Sequence, residues 1–207
     1  MNRALEALKN LQEGNERFVA GFRSSSSRPS QRAREKLVDG QDPIAIILGC
    51  SDSRVPAELV FDQGLGDLFV IRVAGNIVAP SQVASVEFAA EKFNTRLVVV
   101  MGHSQCGAVS ATIDELKLPK QKRSANLHSI VSRIQPSVES LLDLEVAHDF
   151  DKLLHLAIRG NIRSSANHLR HGSPILEELI QTKGLLVVGA EYSLETGEVD
   201  FFDGMPA

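Results

Sequence analysis

Cys50 and Cys106 are the two cysteines of this 207-residue chain, and each stands where an apolar run gives way to small and polar residues. The first opens Cys50-Ser51-Asp52-Ser53-Arg54, and the second closes His103-Ser104-Gln105-Cys106 ahead of Gly107. Two thiolates and an imidazole make a soft sulfur and nitrogen donor set that suits zinc. A closed structural zinc site takes four protein ligands. Neither segment offers a fourth cysteine or histidine, so three donors leave one position open for chemistry. Asp52 bears on that position in one of two ways: it coordinates the metal itself, or it turns into a bidentate pair with Arg54 and leaves the position to water. Read singly, Cys106 is a buried structural cysteine and Arg54 a structural ion-pair residue; read together, the two segments favour a metal.

The elements that must position these donors are legible as apolar runs. Ile44 to Leu48, Leu68 to Val73, Leu97 to Met101 and Leu185 to Val188 are short and continuously apolar, the signature of strands buried on both faces. Helical spacing separates them: Val83, Val86, Ala90 and Phe93 recur after Pro80-Ser81, and a second helix is expected over Ala108 to Leu118. Ser173 followed by Pro174 reads as a helix N-cap with proline at the first position, and Gly184 as its stop. Glu198 to Phe202, after Thr196-Gly197, reads as a short antiparallel edge strand. The alternation predicts an α/β fold, a doubly wound and mainly parallel central sheet with flanking helices. In such sheets ligands bind beyond the carboxyl ends of the strands, where both cysteine segments lie.

Ahead of the sheet, Leu5, Leu8, Leu11, Phe18 and Phe22 mark a helical apolar stripe, ended by Gly21 and the serines that follow. This arm packs either on its own domain or on a neighbouring subunit. One domain is expected over 1–207, with the arm over 1–40 and the zinc-binding α/β core over 41–207; a loop is expected over Pro119 to Ser124. A tight turn is the reading of Gly64 and Gly66, which lack a full phosphate-binding glycine pattern.

Hydrophobic residues make up 43% of the chain and charged residues 23%, enough for one sizeable core. With 22 Lys+Arg against 26 Asp+Glu the net charge is -4, which argues against nucleic-acid or anionic-membrane partners. The first residues alternate charge with apolar side chains and lack a signal peptide's hydrophobic stretch, and no run reaches membrane-spanning length. Two cysteines spent on metal fit a reducing, cytoplasmic setting. His128, His148, His155, His168 and His171 show no spacing that singles out a proton shuttle.

The paired segments, Cys50-Ser51-Asp52-Ser53-Arg54 and His103-x-x-Cys106-Gly107, resemble the double signature of β-class carbonic anhydrases. The likeness covers most of the chain, through Gln41-x-Pro43, Arg72, Ser85-Val86-Glu87-Phe88 and the C-terminal strand. It implies reversible hydration of carbon dioxide to bicarbonate and a proton, with one Zn²⁺ per chain on Cys50, His103 and Cys106. Asp52 and Arg54 would be the catalytic dyad that orients zinc-bound hydroxide, with Asp52 on the metal in a closed state. That zinc makes such a hydroxide available near neutral pH is an effect for which carbonic anhydrase is itself the standard example. The resemblance also implies that Gln41, Phe88 and Gly107 line the substrate site, the first two from across a dimer interface, in a homodimer or tetramer. Some bacterial members hold a noncatalytic bicarbonate between a Trp, an Arg and a Tyr. Arg72 and Tyr192 match two of these positions, but Ile47 stands at the third, so the constitutively accessible subtype is expected. Arg72 reads equally as a helix-cap or interface residue.

Two other readings stay open. A noncatalytic zinc or thiol redox sensor would use the same donors, and a relative hydrating another linear heterocumulene, such as carbon disulfide, would share the metal motif. A zinc deaminase would need His-x-Glu and Pro-Cys-x-x-Cys, which are absent.

Overall fold

Strands without polar alternation are satisfied only when both faces are covered, and the sheet of this protein is built that way. The computed structural model describes residues 3–24, 27, 30–117 and 125–206. In chain order the elements are α1 (Arg3–Val19), α2 (Gln31–Lys36), β1 (Ala45–Gly49), α3 (Ala57–Val60), β2 (Leu68–Arg72), α4 (Pro80–Lys92), β3 (Leu97–His103), α5 (Gly107–Lys117), α6 (Ala125–Leu142), α7 (Phe150–His171), α8 (Pro174–Lys183), β4 (Leu186–Tyr192) and β5 (Val199–Asp203). The sheet order is β2-β1-β3-β4-β5, parallel except for β5, which pairs antiparallel with β4 at the edge.

Alternate residues of each central strand enter two different cores. Ile46, Leu48, Val98 and Val100 face a layer built by α4 to α8, while Ile47, Leu97, Val99 and Met101 face a layer built with α1 and α3. Each such fully buried aliphatic side chain contributes about 1.5–3 kcal/mol relative to exposure. The chain moves from β1 to β2 on one side and to β3 on the other, so the strand order reverses between β1 and β3. That crevice is where a doubly wound sheet binds its ligands.

The expected arm is a helix packed on its own sheet face, with Ala4, Ala7, Leu8 and Leu11 buried. Leu8 and Leu11 face inward as expected and Phe18 packs on the same layer, whereas Leu5 is 41% and Phe22 73% exposed. α8 has the expected ends: Ser173 Oγ accepts the Leu176 N–H, Pro174 starts the helix, and Gly184 closes it at φ 69°. β3 and β4 run beyond their expected ends because His103 pairs in register with Tyr192. The expected loop at Pro119 to Ser124, with Leu118, lies outside the described residues. Among the described residues no helix is long and apolar enough to cross a membrane.

Candidate metal centre

The three donors arrive on two adjoining strand ends. Gly49, the last residue of β1, pairs with Met101 of β3, so Cys50 and His103 leave the sheet at one rim. Cys50 Sγ, a ring nitrogen of His103 and Cys106 Sγ all lie within 4.8 Å of one another, and all three residues are buried.

The second segment is built locally. Ser104 donates its N–H to the Tyr192 carbonyl at 2.9 Å, and its Oγ accepts from Leu194 N at 2.9 Å. Gln105 then takes the left-handed conformation, φ 56°, which turns the chain into α5. Cys106 occupies the cap of that helix: its carbonyl accepts from Ser110 N at 3.0 Å, and the Ala108 and Val109 N–H groups act to lower its thiol pKa. A helix N-terminus favours the anion.

His103 Nδ1 lies 2.8 Å from the Ser104 carbonyl, which can only accept, so Nδ1 carries the proton and Nε2 presents its lone pair. Among the described residues Nε2 is buried without a hydrogen-bond partner. Such an orphan is costly unless something occupies its lone pair. The thiols titrate as a pair: a hydrogen bond from Cys106 draws Cys50 down to about 4, helped by the Gly75 N–H, and the Cys50 thiolate pushes Cys106 far up. Two thiolates this close need a cation between them. The unpartnered imidazole nitrogen and the two sulfurs therefore fit a zinc ion.

Asp52 is turned to Arg54. Its Oδ1 accepts from Arg54 Nε at 2.9 Å and from the Arg54 backbone N–H at 3.0 Å, and its Oδ2 accepts from Nη2 at 2.8 Å. This pairing holds the carboxyl well below the usual range. Oδ2 stands 3.8 Å from His103 Nε2, so the charge faces the donor cluster without filling it.

The remaining expected residues are dispersed. Arg72, at the end of β2, donates Nε to the Cys50 carbonyl at 3.0 Å and Nη2 to the Asp52 carbonyl at 2.5 Å, stapling the first segment to the neighbouring strand. Tyr192 is buried under α1 with its ring 6.4 Å from Phe18, and Ile47 is buried in the same layer. Among the described residues no hydrogen bond joins Tyr192 to Arg72. Gly107 opens α5, and a Cβ there would meet nothing within 4 Å. Phe88 is half exposed on α4, beside Phe69 and Phe93. Gln41 is exposed ahead of β1, whereas Cys50 follows it. Five strand residues, about 16 Å of rise, separate them within one chain.

Two residues at the rim escaped the sequence reading. Gly75, in the short turn after β2, donates its N–H to Cys50 Sγ at 3.4 Å. Asn161 of α7 donates Nδ2 to the Gly75 carbonyl at 2.7 Å. The Gly75-Asn76 pair at a third strand exit was the available signal for the first. For the second it was a polar residue on a stripe that otherwise holds Leu154, Ile158, Ile162 and Leu169.

Comparison with known proteins agrees with this geometry. Residues 45–199 match a family model described as carbonic anhydrase. "Carbonic anhydrase 2" of Mycobacterium tuberculosis is 39% identical over 200 residues, which cover 92% of this chain and 89% of that protein. A carbonic anhydrase of Synechococcus elongatus is 31% identical over 88% of this chain and 70% of its own. Among solved structures, the β-carbonic anhydrase CcaA superposes with a TM-score of 0.76 at 29% identity, covering 95% of each chain. CafA, a β-carbonic anhydrase of Aspergillus fumigatus, gives 0.74 at 27% identity over 86% of this chain and 85% of its own.

Proposed function

The chain belongs to the β-class carbonic anhydrase family, and from that premise we propose that Cys50, His103 and Cys106 hold one zinc ion, where carbon dioxide and water are reversibly converted to bicarbonate and a proton. The observation that carries the zinc site is the convergence of two sulfurs and a buried, unpartnered imidazole nitrogen within 4.8 Å. Zinc bound there supplies the Lewis acidity that activates water, for which carbonic anhydrase is the usual illustration.

The chain's own residues do the rest. Arg54 holds both carboxylate oxygens of Asp52, so Asp52 stays ionised and off the metal position. An ionised carboxylate only accepts hydrogen bonds. It therefore takes one from the reacting water, and that contact turns a lone pair of the water oxygen toward carbon dioxide. Gly107 keeps the mouth of α5 free of a side chain, which gives a small linear substrate room to approach. Arg72 is committed to the backbone carbonyls of Cys50 and Asp52, and Ile47 offers no hydrogen-bond donor. Both features favour a site without the regulatory bicarbonate pocket.

Gln41 cannot serve the metal cluster of its own chain across the length of β1. With the half-exposed Phe88, it fits a homo-oligomer in which each chain completes the partner's substrate site.

Cys106→Ser tests the metal assignment. Metal analysis should show zinc lost, and stopped-flow hydration of carbon dioxide should fall to background. Full zinc occupancy with undiminished hydration would sink the proposal.

A further inference from the structure

Cys50 receives a hydrogen bond whose donor is itself held from far away in the chain. Gly75 sits in the left-handed region at φ 72°, and Asn76 follows at φ 42°. Glycine adopts that region freely; for asparagine it is uncommon though tolerated. A Cβ at position 75 would also crowd Ile134 Cδ1 at 2.8 Å and Ala108 Cβ at 3.1 Å. A residue that rotates so freely does not by itself keep its N–H aimed at Cys50 Sγ. Two contacts restrain the turn: the Asn76 N–H bonds to the Val73 carbonyl at 3.0 Å, and Asn161 bonds to the Gly75 carbonyl at 2.7 Å.

Asn161 is 1% exposed on a helix face that is otherwise largely apolar. Because a carbonyl can only accept, its Nδ2 is the atom that faces Gly75. Its Oδ1 has no hydrogen-bond partner among the described residues, and neither has Asn76 Nδ2. The Asn161 hydrogen bond goes to the residue that donates to a thiolate.

We propose that Asn161 is a positioning residue for the metal centre: by fixing the Gly75 carbonyl, it keeps the Gly75 N–H directed at Cys50 Sγ and so tunes how strongly that sulfur donates to the metal. The inference rests on the assignment of Cys50 as a metal ligand. A hydrogen bond to a thiolate withdraws electron density from the sulfur, which leaves the metal a stronger Lewis acid. Partners outside the ligand set that orient ligands commonly govern metal affinity by 10–100-fold.

The test uses full-length protein loaded with cobalt in place of zinc, comparing wild type, Asn161→Leu and Asn15→Leu. Asn15 is a buried asparagine that ties α1 to the carbonyls of Val60 and Gly197 at 3.1 and 2.9 Å and touches no metal donor. Asn161→Leu should move the thiolate-to-cobalt charge-transfer band to lower energy, because the sulfur recovers donor strength, and should weaken metal affinity about 10-fold or more in chelator competition, because the Cys50 segment is no longer held in its ligating position. Asn15→Leu should lower the melting temperature while leaving band and affinity at their wild-type values. A folded Asn161→Leu protein with wild-type band and affinity would overturn the proposal. If the leucine variant does not fold, Asn161→Ala removes the same donor without added bulk and carries the same expectation. Wild-type protein loaded with NMR-active cadmium gives an independent reading: the Gly75 amide proton should couple to the metal through Cys50 Sγ, and no coupling overturns the proposal. A wild-type protein without any thiolate-to-cobalt band would instead overturn the metal assignment, and this inference with it.

Discussion

Two aspartate–arginine pairs in this molecule look alike as chemistry and sit in different surroundings. Asp52 and Arg54 stand two residues apart at the rim of the sheet, with side chains 18% and 55% exposed. Asp62 and Arg17 are 45 residues apart, and the Asp62 side chain is fully buried beneath α1. Asp62 spends its acceptor capacity within its own fold: Arg17 Nε at 2.6 Å, Ser27 Oγ at 2.5 Å and the Ser24 N–H at 3.1–3.2 Å. Among the described residues the Asp52 carboxylate accepts hydrogen bonds from Arg54 alone, and its Oδ2 faces a histidine nitrogen that has no hydrogen-bond partner. A carboxylate whose lone pairs are all taken anchors structure; one with capacity to spare beside three candidate metal donors suits the catalytic role proposed above.

Removing one member of each pair separates the two roles. Arg54→Ala leaves Asp52 free to swing to the metal and removes charge-assisted bonds worth about 1.5–3 kcal/mol, or about 10–100-fold in rate. Carbon dioxide hydration should fall by that factor while zinc content and melting temperature hold. Hydration at the wild-type rate would show that the rim pair has no part in catalysis.

Asp62→Asn should do the converse. Asparagine tolerates the positive φ of 46° at this position, so the backbone is not the variable. Loss of the charge-assisted contacts should cost about 1.5–3 kcal/mol in denaturant unfolding at neutral pH, with turnover per folded molecule unchanged. Burial alone would raise this carboxyl, yet Arg17, Ser27 and the Ser24 N–H outweigh it and hold it below the ordinary value. A depressed folded-state pKa gives stability that is complete above the unfolded value, about 4, and is lost as pH falls through the folded one. The gap between wild type and Asp62→Asn should therefore close in acid. A gap that widens below pH 4 would contradict the assignment.

The smallest effect is expected at Gln41, which touches neither pair. Gln41→Ala should lower kcat/KM several-fold, about 1 kcal/mol for one neutral hydrogen bond, with zinc retained. An unchanged kcat/KM would remove the partner's side chain from the substrate site.

The contrast between the pairs also marks what the sequence made legible. Asp52 and Arg54 lie within one five-residue motif, and His103 and Cys106 within another, so type and spacing exposed them. The uniformly apolar runs of β1 and β3 exposed the strands that bring the motifs together, and the switch in strand order placed them at one crevice. Asp62 and Arg17, or Asn161 and Gly75, meet across 45 and 86 residues. Nothing local announces such a partner: an inward asparagine on α7 or an aspartate after α3 gains its meaning only when the layers are stacked. Leu5 shows the same limit on a smaller scale, since a leucine at nearly helical spacing still faces solvent once the neighbouring Ala4 and Ala7 fill the interface.

A structure of the zinc-loaded protein near neutral pH tests the central claim most directly. It should show zinc on Cys50 Sγ, His103 Nε2 and Cys106 Sγ, solvent in the fourth position, and Asp52 still paired through both oxygens with Arg54. Zinc coordinated by an Asp52 oxygen, with Arg54 turned away, would contradict the account.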